Sequence, residues 1–119
     1  MSDFKDLKVW QKAHELALAV DQIANASPAG RYASLQGQMV RAAMSIPANI
    51  AEGRGRRSEK DCVRFLRISV GSCNELESQL ILARGVKFMK GADSDKLIEQ
   101  LCEVRKMLSG LINYLRPES

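Results

Sequence analysis

Apolar residues recur along this chain three and four places apart, and nowhere in the strict alternation of a half-buried strand. The first stretch, about residues 6–26, carries two neighbouring stripes. One is Leu7, Trp10, His14, Ala17 and Ile23 or Ala24, and the other is Val9, Ala13, Leu16 and Val20. Ser27-Pro28 and Gly30 then break the pattern. A second helix is predicted over 34–53, with Ser34 accepting from the orphan amides of the first turn. A third is predicted over 58–84, about 27 residues and ~40 Å long. Its start is marked by Ser58 followed by Glu59 and Asp61, a hydroxyl cap with acids in the first turn. Its inward positions read as Cys62, Phe65, Leu66, Ser69, Cys73, Leu76, Leu80 and Ala83. Gly71 and Ser72 are poor helix formers and predict a close helix–helix contact. The fourth helix, over 94–115, is capped by Asp93 or Ser94, buries Leu97, Leu101, Val104, Leu108, Leu111 and Leu115, and is stopped by Pro117.

Four helices joined by short connections predict an all-α fold, an up-down-up-down antiparallel four-helix bundle. At 119 residues the chain is read as one domain, 1–119, with a single core. Few residues are aromatic, so that core is built from Leu, Ile, Val, Met and Ala.

The second helix changes this picture. From Met39 to Ala51 it is apolar on nearly every side, with Met39, Ala42, Ala43, Ile46 and Ile50 on one stripe and Val40, Met44, Pro47 and Ala51 on another. A helix that is apolar all round is buried all round. One stripe faces the chain's own core, and the second calls for a neighbouring subunit, so Val40, Met44, Pro47 and Ala51 are candidate oligomer contacts. Pro47 either kinks this helix or begins a new one as its first residue. The apolar pattern runs straight through it, which favours the kink. Asn49 and Glu52 are read as satisfying backbone groups freed around the proline.

The charge is equally localised. Residues 54–67 hold Arg54, Arg56, Arg57, Lys60, Arg64 and Arg67 against Glu59 and Asp61, which accounts for the whole net charge of +4. Lys60, Arg64 and Arg67 fall on one helical face and continue the cationic loop Gly53–Arg57. A concentrated patch points to an anionic partner. Arg54, Arg56, Arg57, Lys60, Arg64 and Arg67, with Arg41 upstream, are the candidate nucleic-acid-binding residues. Arginines without interleaved aromatics hold phosphates and carry little sequence information. Three other readings stay open: a solvated surface, an adaptor face docking an acidic protein, and inter-subunit ion pairs to Glu52, Glu75 or Glu77.

Catalytic patterns are missing. His14 has no recognisable partner segment, and Glu75 and Glu77 point to different sides of a helix. The glycine-arginine loop has neither the spacing nor the lysine of a P-loop. No enzyme activity, cofactor or metal is expected. Cys62, Cys73 and Cys102 read as reduced core residues. With no membrane span and no apolar leader in the first residues, the expected location is cytoplasmic.

Three motifs carry a family resemblance. They are Phe4-x-x-Leu7-x-Val9-Trp10-Gln11-Lys12-Ala13, the string Ser45-Ile-Pro47-Ala-Asn49-Ile-Ala-Glu52-Gly53, and Gly71-Ser72-x-x-Glu75-Leu76-Glu77-x-Gln79-Leu80. Together they resemble the bacterial four-helix bundle proteins that include those encoded in intervening sequences of large-subunit ribosomal RNA genes. The resemblance implies a ring-like homopentamer without catalytic residues. Related accessory proteins of diversity-generating retroelements bind nucleic acid and a reverse transcriptase, which adds to the expectation of a nucleic-acid-binding scaffold. The chain departs from the usual pattern at Gly30 and at Gln36-Gly37.

Overall fold

The computed structural model describes residues 3–115; Pro117, expected to stop the last helix, lies outside them. A 3-10 turn at Phe4–Asp6 precedes α1 (Lys8–Ala24), and a second at Gly30–Tyr32 leads into α2 (Ala33–Arg54). Then come α3 (Glu59–Gly85) and α4 (Gly91–Leu115). Among the described residues there is no strand, and no helix is long and apolar enough to cross a membrane.

Each helix packs on two others. α1 lies against α2 and α4, and α3 lies against the same two from the opposite corner. Contacts run in opposite order along neighbouring helices. Ser45 of α2 bonds Ser72 of α3, while Gly53, later in α2, abuts Cys62, earlier in α3. Likewise Ser94 reaches Leu80 near one end of the α3–α4 pair, and Arg105 reaches Asn74 further along. α3 therefore runs antiparallel to both α2 and α4.

In α1, Val9, Ala13, Leu16, Val20 and Ala24 are buried, whereas Trp10 and Ala17 are only half-buried and His14 is exposed. Of two adjacent apolar stripes, the one without the bulky ring residues fills the core. α1 starts later than the pattern suggests because Asp3 caps a separate turn, its Oδ1 accepting from Lys5 N–H at 3.0 Å, and Leu7 is extended. Ser34 is not a cap either. The 3-10 turn feeds α2 directly, Tyr32 occupies the cap position, and Ser34 Oγ accepts from Gln38 Nε2 within the first turn. Gly30, at φ +55°, supplies the left-handed residue on which that turn depends. α4 begins at Gly91, so Ser94 lies inside it, buried, with its hydroxyl donating to Leu80 O at 3.1 Å.

Pro47 sits inside an uninterrupted α2 and does not open a new helix. The backbone around it is held from the side. Asn49 Nδ2 donates to Ser45 O at 2.9 Å, Ser69 Oγ donates to Ile46 O at 2.9 Å, and the Ser45 and Ser72 hydroxyls meet at 2.7 Å. Asn49 thus serves the backbone, while Glu52 turns outward to Arg56.

Two sequence expectations are corrected. Of Gly71 and Ser72, Ser72 makes the predicted close contact, its hydroxyl meeting Ser45 of α2, but Gly71 does not: it is exposed, and a Cβ there would meet nothing within 4 Å. The close approach is at Gly53, where a Cβ would lie 3.1 Å from Cys62 O and from Phe65 Cβ. Of the cysteines, Cys73 is a core residue, its thiol pushed up to about 11 by burial. Cys62 is half-buried, and Cys102 is exposed on the polar side of α4, 3.4 Å from Arg105 Nη2.

Candidate nucleic-acid interface

α2 ends at Arg54, and the Gly55 and Arg56 amides close its last turn on Glu52 O and Gly53 O. Ser58 is extended and starts α3, its Oγ accepting from Asp61 N–H at 3.0 Å, as the hydroxyl-plus-acid pattern requires. The few residues between Arg54 and Glu59 therefore form a short turn fixed at both ends. It places Arg56 and Arg57 beside the first two turns of α3, where Lys60, Arg64 and Arg67 project. Together they line an open recess of about 800 Å³.

The cations in it fall into two groups. Arg56 and Arg64 are held by the chain. Arg56 Nη2 lies 2.5 Å from Glu52 Oε2, and Arg64 Nη2 lies 3.0 Å from Asp61 Oδ1. Both guanidiniums lie over the Phe65 ring, 4.4 and 4.5 Å from its centroid. Arginine over an aromatic face is a favourable cation–π arrangement, and it fixes two flexible side chains. Arg57, Lys60 and Arg67 form the second group: among the described residues they make no ion pair. Their charge is open to an outside anion.

Arg54 is half-buried against Cys62, where its charge lowers the thiol pKa and burial, the larger influence, raises it. Arg41 does not join the patch. It lies thirteen residues before Arg54 on the same helix, about 20 Å away, with its guanidinium folded over Gly37. Phe65, read from its spacing as a core position, is the residue sequence reasoning missed. Its adjacency to Arg64 was visible, but the contact with Arg56 spans the turn and needs the fold.

Glu52 and Glu77, considered as partners for arginines of another subunit, are engaged within the chain. Glu52 takes Arg56, and Glu77 takes Arg105 at 2.7 Å. Glu75 Oε2 accepts from Gln79 Nε2 at 3.4 Å.

A second surface lies between α1 and α2. Met44, Pro47, Ala48 and Ala51 face Phe4, Trp10, His14, Ala17 and Leu18 across an apolar groove of about 510 Å³. Leu18 and Met44 are 58% and 57% exposed there. The rings along it stack on one another, His14 on Trp10 at 4.9 Å and Phe4 edge-on to Trp10 at 5.1 Å. Val40, placed by its spacing on the same stripe, is instead half-buried against the core and is no part of the groove. Among the described residues no group of three or more His, Cys, Asp and Glu is placed to hold a metal ion.

Comparison with curated proteins gives no match. Among solved structures, the chain is similar to a protein with unknown function from the S23 ribosomal protein family of Bacteroides thetaiotaomicron VPI-5482, solved at 1.70 Å. The two share 23% identity and a TM-score of 0.78 over 87% of this chain and 97% of that one, which is a likeness of fold. The family described as 23S rRNA-intervening sequence protein matches residues 5–110, nearly the whole helical body, and the chain belongs to that family.

Proposed function

We propose that this chain is a non-catalytic scaffold that binds the phosphate backbone of RNA or DNA through the recess at the α2–α3 turn and works as a homo-oligomer. One observation carries the reading. Arg57, Lys60 and Arg67 line a single recess without ion-pair partners among the described residues, beside two arginines already fixed in place. Phosphate is the anion that such a cluster suits, since each contact releases condensed counterions and needs no base-specific geometry. A family named for an intervening sequence of 23S rRNA makes RNA the first nucleic acid to test.

The α1–α2 groove supports self-association, since its apolar walls have no cover among the described residues. A ring of five copies is the assembly the family resemblance suggests. Repeating a small patch around a ring raises avidity without new contacts.

The test is fluorescence anisotropy with labelled structured RNA and duplex DNA over a range of salt. The expected result is binding whose logarithm falls linearly with log salt, with a slope of about −2 to −3 per bound chain for three phosphate contacts. Arg57→Ala with Lys60→Ala and Arg67→Ala should weaken it steeply and lower the salt slope by about one per cation removed. No binding at low salt refutes the reading and leaves the same cations for an acidic protein.

A further inference from the structure

We propose that the α3–α4 turn forms a second phosphate-binding recess, so that one chain bridges two separate nucleic-acid segments, one at each end of the bundle. This rests on the nucleic-acid reading of the first recess.

The far end of the molecule has its own cavity of about 670 Å³, set between the C-terminal end of α1 and the α3–α4 turn. Arg84, Lys87 and Lys90 line it against one lining carboxylate, Asp93. Arg84 is engaged by Asp95 at 2.6 Å. Among the described residues, Lys87 and Lys90 make no ion pair. This is the arrangement of the first recess in miniature: an arginine fixed by an acid, beside cations left open.

The backbone supplies an independent observation. Lys87 has φ 63° and is the one non-glycine residue with positive φ among those described. Phe88 N–H bonds Ala83 O at 2.9 Å, and Lys87 N–H bonds Arg84 O at 3.1 Å. That pair of bonds is the Schellman closure of a helix, and its left-handed position is the one glycine ordinarily fills. A side chain there is a strained choice that the closure does not need. A cation near the C-terminus of α3 would favour the helix dipole, but Arg84 already supplies one in the last turn. What Lys87 adds is an unpaired ammonium at the edge of the cavity.

The two recesses do not form one footprint. α3 joins them over 27 residues, about 40 Å, along a molecule 46 Å in its longest dimension. Between them the exposed side of α3 carries Glu75, Ile81 and Leu82, and the described residues offer no cationic track there. The first recess opens beside the first turns of α3, whereas the second opens toward Ser27 at the end of α1. Two backbones, each held at its own end, fit the geometry.

The test uses the full chain and a two-RNA capture assay at low salt. One RNA hairpin is fixed to beads, protein is bound and washed, and a second, fluorescent hairpin is added. The wild-type chain should hold the first RNA and recruit the second. Lys87→Gly with Lys90→Ala should still hold the first RNA but lose recruitment, and Lys90→Ala alone should leave weakened recruitment whose salt slope is lower by about one. Glycine accepts the left-handed backbone, so the double variant keeps the turn; Lys90→Ala alone, on an exposed side chain, serves if thermal melting shows otherwise. Retention of the first RNA with no recruitment by the wild-type chain overturns bridging and leaves the nucleic-acid reading intact. Full recruitment by the lysine variants also overturns it, since bridging then comes from several copies of the first recess. Failure to hold the first RNA overturns both.

Discussion

The two sides of α2 are finished differently. Against α3, the helix presents Ser45, Ile46 and Gly53, and α3 answers with Ser69, Ser72, Cys62 and Phe65. Small residues bring the helices close, and every hydroxyl there finds a partner within the chain. Against α1, the outer part of the helix presents Met44, Ala48 and Ala51 to Trp10, Ala17 and Leu18, with large apolar side chains left in water. Both surfaces are apolar by composition. What separates an internal seam from an open one is the placement of small hydroxyl residues, because a buried hydroxyl must be bonded and so fixes which helix lies opposite. The open groove has no such constraint and is free to take a partner from outside.

Substitutions on the two sides should behave accordingly. Ile46→Ala, at a fully buried position beside the Ser69 bond, should cost about 2–5 kcal/mol in urea denaturation through the cavity it leaves. Next come the two glycines. Gly53→Ala drives a methyl group toward a carbonyl oxygen of α3, and crowding of about 1–3 kcal/mol outweighs the better helix preference of alanine. Gly71→Ala meets open space and should raise stability by about 0.5–1 kcal/mol. Thermal melts of the pair should therefore move in opposite directions. The smallest effect on the fold, within about 0.5 kcal/mol, is expected for Leu18→Glu with Met44→Glu. That variant should nevertheless reduce the mass seen by light scattering to a single chain. An unchanged assembly would show that the groove is not the contact between copies.

The helices themselves were legible from the apolar period, and Ser58 from its cap signature, because both depend on residues close in sequence. Which stripe of α1 enters the core was not, since both stripes are apolar and only the position of α2 decides between them. The roles of Gly53 and Gly71 were interchanged for the same reason: a glycine announces freedom of approach but not what approaches. Cys102 looked like a core residue by type, yet its position along α4 puts it on the polar side. Within the candidate site, the cationic cluster was visible as composition. The division into arginines held by Glu52, Asp61 and Phe65 and cations left open was not, because those contacts cross the turn. The distance of Arg41 from the cluster was available all along, from the rise of a helix.

Pro47 has a consequence for how the molecule opens. It has no amide, so α2 lacks one bond of its own ladder, and beside it Ile46 O accepts from Ser69 of the next helix while the Ser45 and Ser72 hydroxyls meet. The C-terminal half of α2 therefore loses its cross-helix bonds beside Pro47 once α3 departs and keeps only its packing on α1. Amide hydrogens on either side of the α2–α3 turn belong to one cooperative unit and should exchange with deuterium at a common rate, instead of fraying helix by helix. The cationic turn between them is then presented whole or not at all.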